Sequence, residues 1–187
     1  MNIITGSARG TKLLTLEGEA TRPTLQRAKE VIFSAIQFDI EGREVLDLFA
    51  GSGQLGLEAL SRGASRAVLV DRSAEAFDVI KANAQKTHLY KNCRIVNSDY
   101  AEYLRGAKRS GAKFGLVFID PPYQSGLVWH ALSKAAEVTN PGGTIICEHP
   151  ANEKAPQESG NFSIYRQYQY GKVGLTFYRR KEMAETV

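Results

Sequence analysis

The chain has 187 residues, 43% of them apolar and 24% charged, which is enough length and apolar content for an ordinary globular core. No run reaches the roughly 20 apolar residues of a membrane span and the start lacks a signal-peptide stretch, so a cytoplasmic protein without membrane contact is expected. Net charge is +4 and uneven: residues 1–29 hold five cations against two acids, and residues 160–181 hold five cations and no acid, a pattern that favours an anionic partner.

Residues 2–16 are short, glycine-punctuated and partly β-branched, and they read as a hairpin or extended arm carrying Arg9 and Lys12. Arg22-Pro-Thr-Leu-Gln-Arg27 follows. Thr24 is expected to cap a helix whose inner face is Leu25, Ala28, Ile32, Ala35 and Ile36. The organising stretch is Asp47-Leu-Phe-Ala-Gly-Ser-Gly-Gln-Leu-Gly56: an apolar run closed by an acid, three glycines, then a helical segment, as in the first strand, turn and helix of a nucleotide-type α/β unit. Gly51, Gly53 and Gly56 suit positive φ or close approach of a ligand. Their spacing also matches a dinucleotide fingerprint, but Asp47 beside the turn opposes a pyrophosphate and suits a cationic ligand such as S-adenosylmethionine, whose sulfonium and amino groups carry positive charge.

The next helix is expected to end near Arg62 at Gly63, and residues 66–71 read as a buried strand closed by Asp71, 18 residues beyond Gly53. That spacing suits a carboxylate on a ribose hydroxyl pair, with a helix cap as the plain alternative. Residues 73–86 read as a helix and 93–96 as a strand leading into Asn97-Ser-Asp-Tyr100. Asp99 fits either an adenine amino group or the cap of a helix over 100–107. Cys93 and Cys147 lie far apart in apolar runs and read as buried thiols in a reducing compartment. No Cys-x-x-Cys pair or zinc-type spacing occurs, so no metal is expected.

Residues 114–120 form a buried strand ending in Asp120-Pro-Pro-Tyr123, a rigid loop at the sheet edge where open α/β folds bind ligands. An exocyclic base amine is a poor nucleophile because its lone pair is delocalised into the ring. Asp120 and the Pro121 carbonyl can accept its two N–H bonds and favour a pyramidal nitrogen, Pro122 stiffens the loop, and Tyr123 offers a stacking face. Residues 126–138 then read as a helix, 140–143 as a turn, 144–148 as a fifth strand and 151–160 as a polar loop. Residues 162–170 and 173–180 read as a terminal antiparallel hairpin. His88 and His130 read as structural or solvated, and His149 after Glu148 is a minor candidate for substrate contact.

Asp-Leu-Phe-Ala-Gly-Ser-Gly followed by Leu-Gly-Leu-Glu-Ala-Leu-Ser-Arg-Gly, with Arg22-Pro-Thr and Asp-Pro-Pro-Tyr, resembles the RsmD family of 16S rRNA guanine-N2 methyltransferases. The resemblance runs from Ile3-Ile-Thr-Gly6 to the final hairpin. It implies an α/β class I methyltransferase fold, Rossmann-like, with a seven-stranded mixed sheet and an antiparallel C-terminal hairpin. One domain over 1–187 is expected, with a basic arm and helix over 1–40 on the RNA side and a catalytic core over 41–187. Carried over by position, Asp47 with Phe49, Ala50, Gly51, Ser52 and Gly53 would hold the methionine part of S-adenosylmethionine. Asp71, with Arg72 beside it, would take the ribose, Ser98 and Asp99 the adenine, and Thr24 would border the cofactor. Asp120, Pro121, Pro122 and Tyr123 would hold and activate the base, while Arg9, Lys12, Arg22 and Arg27 would contact rRNA, free or in a small-subunit particle. The protein is expected to act as a monomer.

This chain has Ala8-Arg9-Gly10 where the family usually has Trp-Arg-Gly, and Ser34 where it has Asn. Both differences lie on the RNA-facing side. An N6-adenine methyltransferase shares Asp-Pro-Pro-Tyr and is the nearest rival. A nicotinamide-dependent oxidoreductase is opposed by Asp47 and by the missing substrate domain. A silent rRNA-binding factor is opposed by the intact Asp120 and glycine turn.

Overall fold

The computed structural model describes residues 1–16, 23–122 and 126–180. Eight strands form one sheet in the order β3-β2-β1-β4-β5-β8-β7-β6. The first half follows the sequence closely: helix α1 (Pro23–Ala35), strand β1 (Glu44–Asp47), helix α2 (Gln54–Ser61), β2 (Arg66–Asp71), α3 (Ala74–Lys86), β3 (Cys93–Asn97) and α4 (Tyr100–Ser110). Then come β4 (Phe114–Ile119), α5 (Leu127–Ala135), β5 (Thr139–Pro150), β6 (Glu158–Ser159), β7 (Phe162–Tyr170) and β8 (Val173–Arg180). β1 to β5 pair in parallel; β1, β2 and β4 are buried over almost their whole length, which is why they read as continuous apolar runs, whereas β3, at the sheet edge, is half-buried to exposed. This is the Rossmann-like α/β class expected.

Three details differ from the sequence reading. The two-residue β6 pairs with β7 and raises the strand count to eight. The C-terminal hairpin is antiparallel as expected: β8 runs antiparallel to β5 and β7 antiparallel to β8, so β7 points the same way as the parallel core while β8 and β6 run against it. Residues 140–143, expected as a turn, lie inside β5: Phe114 pairs with Thr139 and Leu116 with Thr144, so the Pro-Gly-Gly segment is a bulge in one strand. Helix α1 begins at Pro23, a residue suited to the first helical position because its missing N–H needs no partner there. Thr24 is therefore in the first turn and not the cap, and its side chain lies outside the described residues.

Two apolar layers sandwich the sheet. On one side Ala28, Ile32, Phe33 and Ile36 of α1 meet Leu57 of α2, Leu69, Phe118, Leu175 and Phe177; on the other Val128, Ala131 and Leu132 of α5 meet Leu46, Val117, Ile145 and Tyr178. The N-terminal arm packs on the first layer through Ile3, Ala8 and Leu13. A single bridge, Asn2 to Lys12, closes it into a loop.

Polar side chains fasten that loop to α2 and α3. Glu58 is fully buried; its Oε2 accepts the Ile4 N–H (2.7 Å) and the Lys29 ammonium (2.9 Å), and its Oε1 accepts Thr5 N–H (3.0 Å) and Arg62 Nε (2.8 Å). Burial pushes the Glu58 carboxyl up, but Lys29, the Ile4 N–H and Arg62 together outweigh this and hold it below the usual carboxylate range. Burial lowers the Lys29 ammonium, and Glu58 only partly restores it. Ser61 accepts Ala8 N–H (3.0 Å) and donates to Thr5 O (2.6 Å), and Asn83 bonds both backbone groups of Leu14. Gly6, at φ 89°, fits where a Cβ would stand 1.7 Å from the Ser61 carbonyl oxygen. Lys29, counted in the sequence among the basic residues of the RNA side, is thus an interior anchor.

Candidate active site

The sheet order reverses between β1 and β4, the switch point at which open α/β sheets bind ligands beyond the carboxyl ends of their strands. A cleft of about 1580 Å³ opens there. Pockets for one small molecule span roughly 300–1,000 Å³, so this cleft is larger than one small ligand fills.

Register brings the acids together. Asp47 pairs with Leu69 of β2 and Phe118 of β4, and Ile119 pairs with Cys147 of β5, so Asp120, the residue after β4, comes beside Glu148 of β5. Asp47, Asp71, Asp99, Asp120 and Glu148 all line the cleft, and among the described residues the cationic side chains in its lining are Arg72 and Lys172. Asp47 is buried and accepts the Gly56 N–H through Oδ2 (2.9 Å), which ties the strand end to the first turn of α2. Asp71 accepts Gly51 N–H (Oδ2, 2.9 Å) and Ser73 N–H (Oδ1, 2.9 Å). A carboxylate oxygen has two lone-pair sites, so both oxygens can still accept a hydroxyl. Asp99 caps α4, accepting Ala101 N–H (2.8 Å) and Glu102 N–H (3.4 Å) through Oδ1, and still borders the cleft beside Ser98. The two readings of Asp99 are therefore compatible.

The turn 49–53 divides into two parts. Phe49, Ala50 and Gly51 face the cleft, and the Phe49 ring packs on Tyr100 at 5.0 Å between centroids to form an apolar wall. Ser52 and Gly53 do not line it. Ser52 is buried with its carbonyl accepting Asn83 Nδ2 (2.8 Å). Gly53 caps α2 at φ 80°, with Leu69 Cδ2 3.1 Å from where a Cβ would stand, so helix entry and packing explain this glycine.

Pro121 and Pro122 line the cleft after Asp120, while Tyr123 lies outside the described residues, as does Arg22. Arg9, Lys12 and Arg27 are exposed, none of them in the cleft lining, and Arg27 stands over the Tyr170 ring at 5.5 Å. His149 does not line the cleft. Its Nδ1 faces the Pro150 carbonyl (2.9 Å), an acceptor only, so Nδ1 donates there; Nε2 lies 2.9 Å from Thr176 Oγ1. The ring is buried against Trp129. Cys147 is buried and Cys93 half-buried; burial pushes both thiols up, Cys93 to about 12.

Glu148, Gln54, Met1, Leu16 and the Gln169-to-Val173 turn are cleft residues the sequence reading did not single out. Glu148 carried a usable signal, since it follows the apolar run 145–147 as Asp120 follows that of β4, although β5 continues through it to Pro150. The turn and the arm are brought in by tertiary packing alone.

The strand order, the acid-closed strand ends and the glycine turn define the Rossmann-like methyltransferase class. Comparison with known proteins narrows it. A family model described as Conserved hypothetical protein 95 matches residues 1–179. Ribosomal RNA small subunit methyltransferase D of Escherichia coli K12 is 32% identical, aligned over 100% of this chain and 93% of that protein; the one from Haemophilus influenzae is 35% identical over 96% and 93%. The solved structure of yhhF from Escherichia coli, assigned as a methyltransferase, superposes with a TM-score of 0.85 at 32% identity, covering 97% of this chain and 98% of that one. The chain belongs to the RsmD family of small-subunit rRNA methyltransferases.

Proposed function

We propose that this protein transfers a methyl group from S-adenosylmethionine to the exocyclic N2 amine of a guanine in small-subunit rRNA, in the cytoplasm. The observation that carries the reading is the gathering of Asp47, Asp71, Asp99, Asp120 and Glu148 around one cleft beside the glycine turn. Such a lining repels phosphate and attracts a ligand bearing ammonium and sulfonium charge. When bound, S-adenosylmethionine supplies a methyl group made electrophilic by its positively charged sulfur.

Each residue then has a defined task. Asp47 holds the glycine turn in place through Gly56 and supplies negative charge toward the ammonium end. Asp71, already oriented by Gly51 and Ser73, accepts the ribose hydroxyls. Ser98 and Asp99 read the adenine edge, and Phe49 and Tyr100 cover its apolar surface. Asp120 and the Pro121 carbonyl accept the two N–H bonds of the guanine amine, which turns its lone pair toward the methyl carbon. Transfer would form the nitrogen–carbon bond as the methyl–sulfur bond breaks, leaving a neutral thioether, and the proton the nitrogen then sheds would pass to Asp120 or to water. Neither cysteine offers a nucleophile, since both thiols are held in the protonated form. Carbon methylation through a cysteine adduct is therefore disfavoured.

The test is methyl transfer from labelled S-adenosylmethionine to rRNA and to small-subunit particles from cells lacking the protein, with the product digested to nucleosides. N2-methylguanosine in the small-subunit rRNA supports the proposal. N6-methyladenosine would transfer it to the adenine class, and no product from either substrate would overturn it.

A further inference from the structure

β7 carries an unusual surface. Its sequence is Phe162-Ser-Ile-Tyr-Arg-Gln-Tyr-Gln-Tyr170, within a stretch, 160–181, that contains no acid. A bulge at Tyr165 shifts the alternation by one: Phe162 and Ile164 pack into the layer under α5, whereas Tyr168 and Tyr170 pack toward the layer under α1. Helix α1 contacts β8, so the same face of β7 is left partly open to solvent. Tyr165 keeps 50% of its surface exposed.

The rings on this face alternate with guanidinium groups. Arg166 hydrogen-bonds Tyr168 Oη (3.3 Å) and Tyr165 Oη (3.4 Å) and lies 5.1 Å from the Tyr165 centroid. Arg179, paired with Asp39, stands 4.3 Å from the same ring. Tyr168 and Tyr170 lie near parallel, 22° apart with centroids at 6.5 Å, and Arg27 stands over Tyr170. Because β7 runs with the parallel strands, its end at Tyr170 is on the cleft side, and the following Gly171, Lys172 and Val173 line the cleft itself.

Resting on the reading of the cleft given above, we infer that this face of β7 is a stacking track for the single-stranded RNA that flanks the target nucleotide. The five steps of strand from Tyr165 to Tyr170, at roughly 3.3 Å each, make a path of about 17 Å. On sheet surfaces of this kind, aromatic side chains stack two or three unpaired bases while arginines neutralise the phosphates. The rings sit on a strand rather than a loop, so they are fixed relative to Asp120 and can deliver a base to the cleft in one register. Double-stranded RNA has its bases stacked internally and gains nothing from exposed rings.

The experiment uses the full chain and measures two quantities side by side: anisotropy of a labelled single-stranded RNA oligomer, and methyl transfer to small-subunit rRNA. Tyr165→Ala and Arg166→Ala replace exposed side chains, and S-adenosylmethionine affinity, expected unchanged, reports that each variant is folded. Tyr165→Ala should weaken single-strand binding about tenfold. Arg166→Ala should weaken it and lower the slope of log affinity against log salt by about 0.7, an effect that loss of packing alone does not produce. RNA affinity within twofold of the parent in both variants, or an equal loss for duplex RNA, overturns the track whatever methyl transfer does. Absence of N2-methylguanosine from the parent protein overturns the reading of the cleft, while the binding comparison still decides the track.

Discussion

Glu58→Gln offers the sharpest test of how the N-terminal arm is held. The carboxylate accepts four donors, from Ile4, Thr5, Lys29 and Arg62, at 2.7–3.0 Å in a fully buried position. An amide keeps one oxygen and turns an NH2 toward the remaining donors, so Lys29 is left as a buried charge without its counter-ion. Removing one partner of a buried pair typically costs about 3–5 kcal/mol, a large part of the roughly 5–15 kcal/mol by which domains are stable. With a urea m-value of about 2 kcal/mol/M, the unfolding midpoint should fall by about 2 M. Urea titration followed by Trp129 fluorescence measures this, because Trp129 lies on α5, on the opposite face of the sheet, and reports the whole fold. The pH dependence has a definite sign. The Glu58 carboxyl sits below its ordinary 4.5 in the folded state, so its stabilisation is complete above pH 4.5 and is lost as pH falls through the lower folded value. Glu58→Gln should erase that acid-side slope. A variant within about 1 kcal/mol of the parent, with its acid slope intact, would refute the anchoring role.

Asp120→Ala should lower kcat by about 10²-fold or more while cofactor affinity stays within a few-fold, since it removes the acceptor for the base and leaves the glycine turn untouched; single-turnover kinetics with calorimetric cofactor binding separates the two. Asp71→Asn turns one of its two backbone-bonded oxygens into a donor facing an N–H, and the KM for S-adenosylmethionine should rise about tenfold with kcat nearly kept. Gly6→Ala drives a Cβ against the Ser61 carbonyl at positive φ and should cost about 2 kcal/mol or more, read as a drop in Tm. Cys147 should be inert to a disulfide reagent at pH 8 in the native protein and react only on unfolding, because burial keeps its thiol protonated.

The parallel core was legible because its signals are local. An apolar run closed by an acid marks β1, β2 and β4, and Ser73 and Asp99 cap α3 and α4 where such residues should. The C-terminal half was harder for a physical reason. The Pro-Gly-Gly segment 140–143 has turn chemistry, yet the strand continues through it as a bulge because Thr139 and Thr144 both pair with β4. The sign of a charge likewise says nothing of its burial. Lys29 is identical in composition to an RNA-facing lysine, and only the approach of Glu58 from α2 makes it an anchor.

The same distinction bears on how the site is built. The acids at the ends of β1, β2 and β4 can be found from sequence because each closes its own strand, but their meeting depends on register, which places Asp47 opposite Leu69 and Phe118 and puts Asp120 beside Glu148. The arm adds Met1 and Leu16 to the same cleft from the other end of the chain. Its position is set by the packing of Ile3, Ala8 and Leu13 and by the Glu58, Ser61 and Asn83 contacts. A cleft assembled in this way has its floor where β1, β4 and β5 pair, and part of its rim on the arm, which that packing and those contacts fasten. Loosening the arm through Glu58→Gln under conditions where the protein stays folded should therefore raise the KM for RNA more than it lowers kcat, and an equal fall in kcat would mean that the arm also shapes the floor.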